Sequence, residues 1–167
     1  MRISMHLLLL AVVLYAGGCQ NNENTINKAI VQVNYPILIP NYIPVEFELV
    51  KSELENEFFY LKYQNEEGSM RVELTQDSYS NLNWDKLLEF VETEENPYDL
   101  SPFFSYEIIG QFVGEYSVTP SVNALHFTFI PITRRGEADS FPYYNISAVG
   151  LNEEEFQQIV QSLKKYN

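Results

Sequence analysis

From Val45 onward, apolar and polar residues repeatedly alternate with a period of two, and a chain patterned this way buries one side only as a strand. In Val45-Glu46-Phe47-Glu48-Leu49 the apolar side chains fall on one side and the carboxylates on the other, as in a sheet wet on one face. Leu125, Phe127 and Phe129 repeat the pattern and leave His126 and Thr128 on the opposite side. The alternation predicts a strand over 45–54. Residues 58–63, the turn Asn65-Glu66-Glu67-Gly68 and residues 70–74 predict a hairpin. Further strands are expected over 106–110, 111–118, 124–130 and 143–149, all rich in aromatic and β-branched residues and separated by Gly, Pro or polar turns.

Two segments change period. Trp84, Leu87, Leu88 and Val91 stand at helical spacing, so a short helix is predicted over 84–92, ending near Asn96-Pro97. Asn152 with Glu155 makes a capping box, and Phe156, Ile159, Val160 and Leu163 form one apolar face of a C-terminal helix. Pro36, Pro40 and Pro44 forbid helix over 35–44 and favour extended or turn backbone there. The fold class expected is therefore α+β: a curved antiparallel sheet of about six strands. The C-terminal helix and the short mid-chain helix are expected to pack on one face of it.

The first 34 residues follow different rules. Cys19 is the single cysteine of the chain, preceded by Arg2, an apolar run over residues 7–14 and the small residues Ala16-Gly17-Gly18. This is the layout of a lipoprotein signal peptide, with cleavage between Gly18 and Cys19 and lipid on the Cys19 thiol. Small residues before the cysteine let a peptidase reach extended backbone, although Ala16 stands where leucine is usual. The apolar run is shorter than the roughly 20 residues a spanning helix needs. A diacylglyceryl thioether with added palmitate would hold the mature chain on the extracytoplasmic face of the cell membrane, since two chains anchor durably where one does not. With that thiol consumed, neither a disulfide nor a cysteine-based metal or redox site can form.

Residues 1–18 are thus read as the signal, 19–34 as a flexible tether and 35–167 as a single α+β domain. Asn21, Asn22, Asn24, Asn27 and Asn34 mark the tether. A helix over 26–33 is the alternative, disfavoured by the poor helix propensity of Asn and an incomplete apolar stripe. Loss of residues 1–18 leaves 149 of the 167 residues, enough for one core.

The formal charge of −13 becomes −14 when Arg2 is removed with the signal. So acidic a chain lacks the basic face that phosphate binding requires, which excludes nucleic acid as a partner. Its acidic clusters, at 53–57, 66–67, 92–95 and 153–155, fall in turns, on solvated faces and in a helix first turn, and no D-x-D-x-D-G calcium loop occurs. His126 is the only histidine after residue 18, and no G-x-S-x-G elbow is present. No catalytic residue, no metal ligand and no cofactor is assigned. Aromatic residues make up 14% of the chain, more than one helix layer readily covers, so an aromatic-lined groove is an open possibility. Phe103, Phe104 and Tyr106 are the candidate binding surface.

Three stretches carry a family likeness. Ile39-Pro40-Asn41-Tyr42-Ile43-Pro44-Val45-Glu46-Phe47 is similar to a P-x-Y-L-P-x-G-F/Y opening, with Glu46 in the glycine position. His126-Phe127-Thr128-Phe129 with residues 144–150 is similar to its closing strand pair, and residues 151–163 to its final L-S-x-E-E-L…S-L helix. In these the chain resembles a domain-of-unknown-function family of Firmicute lipoproteins and of the extracytoplasmic parts of membrane-bound anti-sigma-factor proteins. The resemblance implies a fold and a location, and no active site.

The function expected is a non-enzymatic extracytoplasmic lipoprotein that binds an envelope protein or other ligand, as a sensor or regulator. A carrier of lipid or another hydrophobic ligand in a concave sheet groove is the alternative. A hydrolase ranks last.

Overall fold

Leu61, Leu74, Ile146, Phe127 and Tyr116 are successive cross-strand partners on five neighbouring strands, and all five are buried. They run through the middle of the main sheet in the computed structural model, which describes residues 21–79, 82–96, 103–132 and 142–166. The strands in chain order are β1 (Leu38–Pro40), β2 (Phe47–Glu55), β3 (Phe58–Asn65), β4 (Arg71–Asp77), β5 (Phe104–Ile109), β6 (Phe112–Thr119), β7 (Ala124–Pro131), β8 (Tyr143–Val149) and β9 (Leu163–Lys165).

Seven of them form one antiparallel sheet in the order β2-β3-β4-β8-β7-β6-β5. Two up-and-down halves meet at its centre. One runs inward from β2 to β4, the other inward from β5 to β8, and the β4–β8 pairing joins them. β1 and β9 make a separate two-stranded sheet. The α+β class stands, with seven strands in the main sheet rather than six and a second small sheet beside it.

Tight turns close the hairpins. Ile109 pairs with Phe112 across Gly110-Gln111, and Gly110 sits at φ 63°, the left-handed backbone that a two-residue hairpin turn demands of its first central residue. The β2–β3 turn places Asn56 at φ 55°, which Asn tolerates better than most residues.

Three helices complete the described fold: α1 over residues 21–32, α2 (Trp84–Thr93) and α3 (Glu153–Gln161). α1 replaces the expected tether. Ile26, Ala29 and Val33 recur at helical spacing and are buried in the main core, with Ile30 packed against it. That stripe outweighs the low helix propensity of the intervening asparagines, because burial on a sheet stabilises a short helix more than propensity penalises it.

α3 buries Phe156, Ile159 and Val160 in the same core. Its predicted capping box is present: Asn152 Oδ1 accepts from the Glu155 amide at 2.9 Å, and Glu155 Oε2 accepts from the Asn152 amide at 3.0 Å. Leu163, expected as the last contact of this helix, is instead the first residue of β9, and it is buried there. Asn152→Ala should lower stability by about 1 kcal/mol, the usual worth of an N-cap. Thermal unfolding followed by circular dichroism would register this as a Tm lower by roughly 2–4 °C.

α2 lies on the other face of the sheet from α1 and α3, which corrects the one-sided packing expected. Its Leu87 is buried in a second cluster with Tyr106, Val113 and Ile130, flanked by Phe90 and Val91. The cause is visible in the pairs Phe112-Val113 and Phe129-Ile130. Consecutive buried apolar residues on a strand require cover on both faces, and α2 supplies it at the β5–β6–β7 corner.

The proline-rich segment is tied down by buried polar groups. Gln76 has no exposed surface, and its side-chain amide pairs with β1 as another strand would: Nε2 donates to the Leu38 carbonyl at 2.7 Å, and Oε1 accepts from the Leu38 amide at 2.8 Å. Tyr144 donates its hydroxyl to the Pro36 carbonyl at 2.7 Å. The Tyr35 hydroxyl lies 2.7 Å from the Glu57 carbonyl and 2.9 Å from that of Gln76.

Burial makes several tyrosines resist ionisation. It pushes Tyr63 up to about 12 from the ordinary 10.0. Burial, then the charges of Glu153 and Glu107, pushes Tyr116 up to about 12. Tyr35 is raised further, by burial first and then by Asp77, Tyr144 and Glu57. The unfolded chain releases these protons near pH 10 while the folded chain still holds them, so stability is full below pH 10 and falls as pH rises toward 12. An alkaline titration should therefore show loss of the circular dichroism signal together with a late rise in tyrosinate absorbance. Complete ionisation near pH 10 in a still-folded protein would contradict it.

Candidate functional site

From β2 to β6, the sheet face opposite α1 and α3 carries alternate residues of each strand that form polar rows. One cross-strand row reads Lys51, Lys62, Glu73, Ser147, His126, Ser117. The next reads Glu53, Tyr60, Thr75, Asn145, Thr128, Glu115. Lys51 and Glu53, on edge strand β2, are exposed, and the other ten are half-buried. Each faces outward because its neighbours along the strand face the core, the period-two consequence of burying Leu61, Leu74, Ile146 and Phe127.

The side chains on this face interact with one another. Asn145 Nδ2 donates to Thr128 Oγ1 at 2.7 Å. Lys51 Nζ lies 2.9 Å from Glu53 and 5.8 Å from the centre of the Tyr60 ring. Arg71 Nε lies 3.4 Å from Glu73. Burial, followed by the charge of Glu73, pushes the Tyr60 hydroxyl up to about 12. Salt bridges this exposed contribute little stability, so their value lies in the pattern of charge they display.

His126 stands directly between Ser147 and Ser117, at the half-exposed strand position that its alternation implied. Among the described residues, no group of three or more His, Cys, Asp or Glu side chains is placed to hold a metal ion.

Of the residues singled out from sequence, Cys19 and Gly18 lie outside the described residues. Phe103 and Phe104 are about half exposed at the start of β5. Tyr106 is not part of that surface. It is 2% exposed, covered from the α2 side with its ring edge-on to Phe90 at 5.7 Å. One alternation step separates Phe104 from Tyr106, and both lie on the same face of β5, yet Phe104 is 54% exposed and Tyr106 is buried.

The aromatic residues build the core rather than an open groove. Phe127 and Phe129 stack at 5.1 Å, Phe129 stacks on Tyr144 at 5.6 Å, and Phe112 meets Phe129 edge-on at 4.8 Å. Phe156 of α3 packs against Tyr116 from the same side. Two recesses lie elsewhere. One of about 430 Å³ sits between the end of α1 and Lys165-Tyr166, and one of about 760 Å³ is bordered by Val45, Glu46, Glu48, Glu66, Glu67 and Met70. Val45 is fully exposed, ahead of β2, and is not the first inward residue that its alternation implied.

Sequence reasoning placed His126 and Thr128 on this face but did not single out Tyr60, Glu73, Asn145 and Ser147. The signal was available, since each alternates with a core residue already identified as apolar. No protein-family model, curated protein or solved structure matches the chain.

Proposed function

We propose that this chain is a lipoprotein held on the extracytoplasmic face of the cell membrane by lipid on Cys19, and that its domain binds an envelope partner as a sensor or regulator, without catalysis. The observation that carries the binding role is the broad polar sheet face from β2 to β6, opposite α1 and α3, with its two rows of hydroxyl, amide and charged side chains. A surface of this extent and mixed polarity suits a macromolecule better than a small apolar ligand, which needs a concave apolar pocket. The hydrophobic-carrier reading draws no such support, because α1 and α3 fill the apolar side. The likeness to extracytoplasmic lipoprotein domains agrees with the same location.

Cys19→Ser should move most of the protein from the membrane to the soluble fraction of the producing cell, read by fractionation and immunoblot. Retention on the membrane would refute the anchor. For the binding face, a photocrosslinker at Ser147 should capture a discrete adduct in intact cells that one at Glu154, exposed on α3, does not. Identical labelling from both positions, or none from either, would refute this surface.

A further inference from the structure

We propose that, in the lipid-anchored protein, the domain sits directly against the phospholipid headgroups with its β2 edge toward the bilayer and its β5 edge turned away. This rests on the lipid-anchor reading above.

α1 is helical from Asn21, the first described residue, and belongs to the domain from there on. Asn22 Nδ2 donates to the Leu49 carbonyl at 3.0 Å, and Asn22 Oδ1 accepts from the Ser52 hydroxyl at 2.9 Å, so the start of the helix is fastened to β2. Ile26, Ala29 and Val33 hold the rest of it in the core. Only Gln20 separates Cys19 from Asn21. Consecutive Cα atoms are 3.8 Å apart, so the Cα atoms of Cys19 and Asn21 lie within about 8 Å of each other whatever path the chain takes. A lipidated Cys19 therefore leaves no slack for the domain to stand clear.

The leash also selects a side. Six strand spacings of about 4.8 Å set the β5 edge roughly 30 Å from the β2 edge, so the leash holds the β2 edge at the headgroups and leaves the β5 edge free to lie well away from them. Val50, in the β-bulge of β2 between Leu49 and Lys51, is 43% exposed close to the anchored helix start, whereas Ile108 is 44% exposed on β5. Glu46, Glu48, Glu66 and Glu67 border the recess at this end of β2. Their charge does not attract lipid, and the approach is imposed by the short connection. The partner face then rises from the bilayer strand by strand, with the corner under α2 most distant.

Acylation of Cys19 leaves an introduced cysteine as the only thiol, so Val50→Cys and Ile108→Cys can each carry one spin label. The test places the lipidated full-length mature protein in phosphatidylcholine vesicles containing a nickel-chelating headgroup lipid. Relaxation enhancement is expected to be several-fold greater at position 50 than at 108. Inserting a flexible Gly/Ser segment of roughly twenty residues after Gln20 should abolish the contrast. Equal relaxation in the unextended, lipidated protein overturns the docked arrangement alone. Mass spectrometry of the same sample separates the other failure, since a chain without diacylglyceryl on Cys19 overturns the anchor and this inference with it.

Discussion

Gln76→Leu is expected to destabilise the fold by about 3 kcal/mol, although leucine matches glutamine closely in size. The glutamine amide is the only strand-like partner that the Leu38 amide and carbonyl have on that side, and all of these groups are buried. Leucine leaves both Leu38 groups without a hydrogen bond in a dry environment, at roughly 1–3 kcal/mol for each. In thermal unfolding this corresponds to a Tm lower by roughly 6–12 °C. Because β1 also pairs with β9, hydrogen exchange should show the amides of Leu38, Ile39 and Leu163–Lys165 losing protection first. A variant with wild-type Tm would mean that β1 is held by its apolar contacts and not by Gln76.

Gly114→Val is expected to cost at least as much, by a different route. A Cβ at Gly114 would collide with the Thr128 carbonyl and stand 2.7 Å from Phe129 Cα and 2.8 Å from Phe129 Cβ. Two of these contacts are backbone, so no side-chain rotation relieves them; β6 must move off β7. Overpacking alone costs typically 1–3 kcal/mol, and here interstrand hydrogen bonds are lost as well, so a loss of about 3 kcal/mol or more is expected. Gly68→Ala is the control. Gly68 has a left-handed backbone at φ 69° but its nearest neighbour to a Cβ is Gln64 Nε2 at 3.9 Å, so only the backbone penalty of about 1 kcal/mol applies. Denaturant unfolding of the two variants separates the terms. Equal losses would show that backbone conformation, not strand proximity, is what glycine provides at position 114.

The residues that alternate cleanly were the most readable. Phe59, Leu61 and Tyr63 of β3 and Leu125, Phe127 and Phe129 of β7 announce their strand and its buried side in the sequence, and so do the polar residues between them. The capping box of α3 was equally plain, because Asn152 and Glu155 act on their own neighbours and need nothing distant. Three features were not legible, for reasons that lie in tertiary structure. Propensity argues against a helix at the asparagines of α1, and only the sheet beneath Ile26, Ala29 and Val33 reverses that balance. The side taken by α2 depends on which face of β5, β6 and β7 lacks other cover. Nothing local distinguishes Tyr106 from Phe104; the packing of Phe90, on α2, against the Tyr106 ring does. The polar face was implicit in the strands, but its continuity follows from the strand order, and β8 lying between β4 and β7 is what brings Ser147 and Asn145 beside His126 and Thr128.

The meeting of the two halves at β4 and β8 governs when this chain can become a folded protein. Thr75 and Asn145 are cross-strand partners 70 positions apart, so β4 presents an open hydrogen-bonding edge until β8 pairs with it. The second tie, β1 to β9, reaches further still along the chain, from Leu38 to Lys165. Neither half can seal its core alone, since α1 precedes β1 in the chain, α3 follows β8, and both cover the same apolar face. Closure of the core therefore rests on pairings of high sequence separation, whose loop-closure entropy must be met before their contacts contribute, so the topology favours slow folding.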